Sequence, residues 1–160
     1  MEDNLMGFKA SIAAFFTALG AFLGWQGVMA VVWVLAMALD YITGTAAACH
    51  AGEWDSTTAR EGLWHKGGMI VVVVVAAIAD IIMAVICANL PLQMVWPGLI
   101  LPLVLAWYII TELGSILENA VKMGAPVPEW LVKLLKASLH MVDGAGETAA
   151  DIDAEEVQNE

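Results

Sequence analysis

The 160-residue chain is poor in charge and poorer still in positive charge. Only 14% of it is charged, with six Lys and Arg against 17 Asp and Glu. A soluble domain carries about 25% charged residues, because these are what cover a water-facing surface. The six bases do not cluster, which excludes nucleic acid as a partner. Cysteine is scarce as well: Cys49 and Cys87 form no metal or redox motif and read as small apolar residues. His50, His65 and His140 are scattered, with no second ligand at metal spacing. A glycine-rich phosphate loop is missing, and neither Ser56 nor Ser115 has a nearby base. An enzyme is therefore not expected, nor is a cofactor. Glu2 and Asp3 stand where a cleaved signal would carry bases, so the first apolar segment is expected to stay on the protein.

What the chain does have is long apolar runs. Ala10 to Leu39 is 30 residues without a charge, and Ile81 to Thr111 is 31. A bilayer-spanning helix needs roughly 20 apolar residues. Four apolar segments follow, at about 8–25, 28–49, 67–90 and 95–113, with a polar loop from His50 to Lys66. The expected fold is all-α: a polytopic helical membrane protein with three to four transmembrane helices. A C-terminal amphipathic helix at 128–142 completes a membrane domain over 1–142. It is expected to lie on the inner leaflet or on a partner subunit. Residues 143–160 hold seven of the 17 acids among small residues and read as a disordered acidic tail.

Lys9, Arg60, Lys66, Lys122, Lys133 and Lys136 all fall at the very start of the first segment, in the long loop, or after the last segment. Excess Lys and Arg marks the cytoplasmic side, so the loop and the C-terminus are expected inside. The segment at 8–25 has 18 residues and only Gln26-Gly27 before the next. Two arrangements stay open: four spans, or three with that segment flat or re-entrant. Trp25 and Trp96 would mark the outer interface, Trp54 and Trp64 the inner, and Trp130 the docking of the last helix.

Two carboxylates sit inside apolar spans, Asp40 and Asp80. An intramembrane charge costs at least ~2.5–3.5 kcal/mol, so each needs a partner or water. Ala36, Asp40, Gly44 and Ala48 form an i, i+4 ladder, and Ala76, Asp80, Ala84 and Ala88 form another. Faces of small residues let helices approach closely in lipid. At ~1.5 Å rise per residue, Asp40 lies about 18 Å from the outer end of its segment, near the level of Glu112. Lys66, at the inner mouth of the next segment, can snorkel toward both. A hydrogen-bonded structural role and a pore-lining role are both open for the two aspartates. Pro102 is expected to kink the last span.

The run Asp40-Tyr41-Ile42-Thr43-Gly44 resembles a signature of the phage holin and toxin-secretion holin family. So do Ser56, Gly62 and Lys66 in the following loop, and Asp80 in the next helix. The stretch Glu112-Leu113-Gly114-Ser115-Ile116-Leu117-Glu118-Asn119 resembles its Glu-Leu-x-Ser-Ile-Leu-Glu-Asn motif, and Gly124-Ala125-Pro126-Val127-Pro128 its Gly-x-Pro-x-Pro. The resemblance covers roughly 8–140. It implies a protein of the bacterial inner membrane that oligomerises with itself and opens a lesion in the lipid. Through this lesion an endolysin, or a toxin, would pass. On this resemblance Asp40, Gly44, Asp80, Glu112, Ser115, Glu118 and Asn119 are the expected helix-packing or pore-lining residues, with Lys66 in the loop. The chain departs from the family in its acidic tail and in Glu53, Asp55 and Glu61 beside Arg60. Two rival functions fit the same residues: a small cation channel or transporter subunit using Asp40, Asp80 and Glu112, or a non-conducting membrane scaffold.

Overall fold

The computed structural model describes the backbone of residues 2–90 and 95–158. Side chains are described over 24–90 and 95–150 and at positions 6, 9, 14 and 17. It is built from four helices: α1 (Glu2–Ala51), α2 (Ser56–Asn89), α3 (Ile100–Lys122) and α4 (Glu129–Gln158). Three stretches are long and apolar enough to cross a membrane: Gly24–Ala51, Ser56–Asn89 and Ile100–Lys122. The segment expected at 8–25 forms the first half of α1. The question of whether it spans falls on side chains outside the described residues.

The element boundaries differ from expectation for local reasons. The break in α1 is at Gly24 (φ 71°, ψ 172°) rather than at Gln26-Gly27; only glycine adopts such a φ without a steric penalty. Most of the expected loop at 50–66 is helical. Asp55 caps α2 by accepting the Thr58 backbone N–H at 3.2 Å, so the helix starts at Ser56. The same bond, followed by that from Thr57, holds the exposed Asp55 carboxyl below its ordinary pKa. At 34 residues α2 is about 50 Å long, enough to cross the bilayer with its polar first turns outside. The last span begins at Ile100, five residues later than the expected 95, because Pro97 and Gly98 (φ 70°) interrupt the chain before it. It runs on to Lys122, nine residues beyond the expected 113.

The acidic tail is corrected by the structure: α4 continues to Gln158 instead of ending at 142. Ala145, Ala149, Ala150 and Glu147 are good helix formers, and nothing after Pro128 breaks the helix. The expected place of this helix changes too. It folds back antiparallel along α3 of its own chain, with Lys136 near Glu118, Leu139 near Thr111, and Glu147 near Val104. Trp107 Nε1 donates to Asp143 Oδ1 at 2.8 Å.

Helix α3 is central and packs on α1, α2 and α4, while α1 and α2 scarcely touch. The core is Trp33, Met37, Met69 and Leu105, and Trp33 stacks on Tyr108 with ring centroids 6.0 Å apart. Elsewhere the apolar side chains point outward: Ile70, Val71, Val74, Val75, Ile78 and Ile82 of α2 are all exposed. No water-soluble monomer carries a face of this kind, and hydrocarbon tails satisfy it.

Candidate functional site: two buried carboxylate networks

The small-residue ladders meet different fates. On α1, Ala36 is buried, and Asp40, Gly44 and Ala48 are partly so. On α2 the ladder holds only in part: Ala76 and Asp80 are buried, but Ala84 and Ala88 are exposed and Cys87 is buried instead. A strict four-residue step advances about 40° too far around a 3.6-residue helix. The buried stripe corrects this by alternating fours and threes through Met69, Val73, Ala76, Asp80, Met83 and Cys87.

Lys66 stands at the centre of the first network. Its Nζ lies 3.0 Å from Asp40 Oδ2 of α1, and 2.8 and 2.7 Å from the two carboxylate oxygens of Glu112 on α3. The three side chains are 13%, 17% and 5% exposed. Asp40 receives a further bond from Asn119 Nδ2 at 3.2 Å, and Asn119 also reaches Thr43 Oγ1 at 3.4 Å. Thr43 in turn donates to the Asp40 carbonyl at 3.1 Å. Gly44 lies against this network, and a Cβ there would stand 3.4 Å from Asn119 Nδ2. One ammonium and two carboxylates therefore join three helices with a formal charge of −1. An ammonium and a carboxylate brought together in low dielectric offset much of the desolvation each would suffer alone. The lysine that the sequence places in the loop is a helical residue whose head is turned into the bundle.

Asp80 forms the second network, apart from the first. Its Oδ1 accepts the Trp96 indole N–H at 2.7 Å and the Ile100 backbone N–H at 3.1 Å; its Oδ2 accepts the Leu101 N–H at 2.8 Å. A carboxylate on α2 thus caps the first turn of α3, where unpaired N–H groups and the helix dipole both favour a negative charge. The sequence marks Trp96 only as an interface residue; the fold makes it a donor to Asp80. Gln26 of α1 is tied to the same connection through a 3.3 Å bond to the Gly98 carbonyl.

Ser115 and Glu118 are not in either network. Ser115 borders a cleft of about 540 Å³ that also touches Asp40, Lys66 and Glu112. Glu118 is exposed and faces the α3–α4 groove near Lys136. Among the described residues no three His, Cys, Asp or Glu converge as metal ligands.

Outward apolar helices, buried charge pairs between them and polar ends together define a polytopic helical membrane protein. The chain belongs to the bacteriophage holin family, a family of non-enzymatic membrane proteins, whose profile matches residues 17–139. Similar chains include an uncharacterized protein of Clostridium perfringens, 35% identical over 61% of this chain and 65% of its own length. The chain thus spans a little under two thirds of that relative. An uncharacterized protein of Listeria innocua is 30% identical over 79% of this chain and 83% of its own. One of Halalkalibacterium halodurans is 29% identical over 85% and 93%. No solved structure matches the chain.

Proposed function

We propose that this chain is a working holin. It accumulates in the bacterial cytoplasmic membrane, associates with copies of itself, and opens a lesion that passes an endolysin or a toxin. Membership of the holin family across residues 17–139 is the observation that carries this reading. The α1–α2 connection and the α3–α4 connection face the cytoplasm, in keeping with Arg60, Lys122, Lys133 and Lys136 around them. Asp40, Lys66 and Glu112 keep the closed chain dry by satisfying one another. Hydration of that cluster accompanies opening, because charges released from one another need water.

The test is induced expression in a bacterial host, with and without a cytoplasmic endolysin that has no export signal. Abrupt depolarisation after a lag, with lysis only when endolysin is present, is the expected result. Stable growth, or a slow ion-selective leak with endolysin retained, would replace this function with that of a small cation channel using the same carboxylates.

A further inference from the structure

One flank of α4 does not suit lipid, although Trp130, Leu134 and Met141 elsewhere on the same helix are exposed apolar side chains. Leu131, Val132, Leu135, Leu139 and Val142 are turned toward the bundle, while Lys133, Lys136, His140, Asp143 and Glu147 are exposed. The last four of these side chains are spread along α3, a 23-residue helix about 34 Å long. Lys136 borders the same cleft as Ser115 and Glu118, and Glu147 the same cleft as Leu103 and Val104. With α3 across the bilayer, the charges of α4 fall within hydrocarbon depth. Exposed side chains on α2 at comparable positions are Val and Ile, which are at home in lipid tails. The two surfaces of one chain therefore face two different media.

We propose that this charged flank of α4 is a wall of the aqueous path, wetted along the length of α3 when the lesion is open. This rests on the holin reading and adds to it the helix that lines the water. A second copy covering the face is disfavoured by charge. Copies in one membrane share an orientation, so neighbouring α4 helices would run parallel and set Lys133 and Lys136 against themselves, and likewise Asp143 and Glu147. The Gly124-Ala125-Pro126-Val127-Pro128 connection, with Gly124 at φ 86°, turns the chain back so that α4 reaches this position.

The test uses the full chain with Cys49→Ser and Cys87→Ala, and single cysteines at His140 and Gly144 on the charged flank or Leu135 and Leu139 on the α3 face. Cells are treated after depolarisation with a membrane-impermeant cationic methanethiosulfonate. Cysteines at 140 and 144 are expected to react at least tenfold faster than those at 135 and 139. Surface-bound helices would give the same contrast, so a second arm fixes depth. Thr111 and Leu139 border one cleft of about 280 Å³. A Thr111→Cys/Leu139→Cys chain is bridged by a short bis-thiol reagent in phosphatidylethanolamine–phosphatidylglycerol vesicles, and is expected to release trapped dye within twofold of the unbridged chain. Equal reaction rates at all four positions, or a tenfold loss of dye release on bridging, would overturn the inference while leaving the holin function standing. A chain that neither depolarises cells nor releases dye would overturn both.

Discussion

Asp80 of α2 accepts the Leu101 backbone N–H of α3 at 2.8 Å, so one helix supplies the cap of the next. A carboxylate deep in an apolar span is thereby converted from a cost into a fastener. It fixes where α3 begins, and through Trp96 Nε1 at 2.7 Å it also holds the connection that leads into it.

Replacing this carboxylate separates its charge from its shape. Asp80→Asn keeps one acceptor oxygen and is expected to retain the fold with a moderate loss. Asp80→Ala strands three donors and should cost about 3 kcal/mol. Thermal unfolding in detergent, followed by helical circular dichroism, checks the order. Equal stability of the two variants would show that the cap bonds contribute nothing.

The Lys66 cluster makes an asymmetric prediction. Lys66→Met leaves Asp40 and Glu112 facing each other, a formal charge of −2, and should cost about 3–5 kcal/mol. Glu112→Gln leaves Lys66 paired with Asp40 at 3.0 Å, a formal charge of zero, and should cost only about 1 kcal/mol. The amount of chain recovered in washed membranes, together with unfolding in detergent, measures both. The double variant Lys66→Met/Glu112→Gln should be less damaged than Lys66→Met alone.

Gly44 tests the closeness of α1 and α3. An added Cβ would meet Asn119 Nδ2 at 3.4 Å, which is ordinary contact, so Gly44→Ala should be tolerated within about 1 kcal/mol. Gly44→Leu adds three further carbons in the same direction and must displace Asn119 from Asp40. Its expected cost is about 1–3 kcal/mol, the range for overpacking. Lysis timing and membrane accumulation should change for leucine and not for alanine.

Trp33 offers the opposite case. Its indole nitrogen is buried with no hydrogen-bond partner among the described residues. Trp33→Phe removes that orphan donor and keeps the stack on Tyr108, so it should be neutral or stabilising. Trp33→Ala empties the core and should cost about 3–5 kcal/mol. Comparable damage from both would mean that the indole N–H has a partner in the membrane.

Much of the charged site was legible before any fold was known. A rise of 1.5 Å per residue puts Asp40 and Glu112 at one level, and the long stem of Lys66 reaches inward from its segment's mouth. Less was legible of Asp80. Its partners are the Trp96 indole and two backbone N–H groups of α3's first turn, and only packing brings these to a carboxylate 16 to 21 residues earlier. The end of the last helix departs from the sequence expectation, because a run of acids reads as solvated while Ala145, Glu147, Ala149 and Ala150 also favour helix.

By itself the sequence determined the medium. Its runs of uncharged residues are too long and its bases too few for a water-facing surface, and hydropathy is a sum over residues that needs no fold. The motifs from Asp40 to Asn119 likewise carry the family without coordinates. The tertiary structure decided the partners: Lys66 between two helices, Asp80 as another helix's cap, and α4 turned back along α3. Pairing depends on distances between residues far apart in the chain, and a linear pattern shows where charge must be satisfied but not by which neighbour.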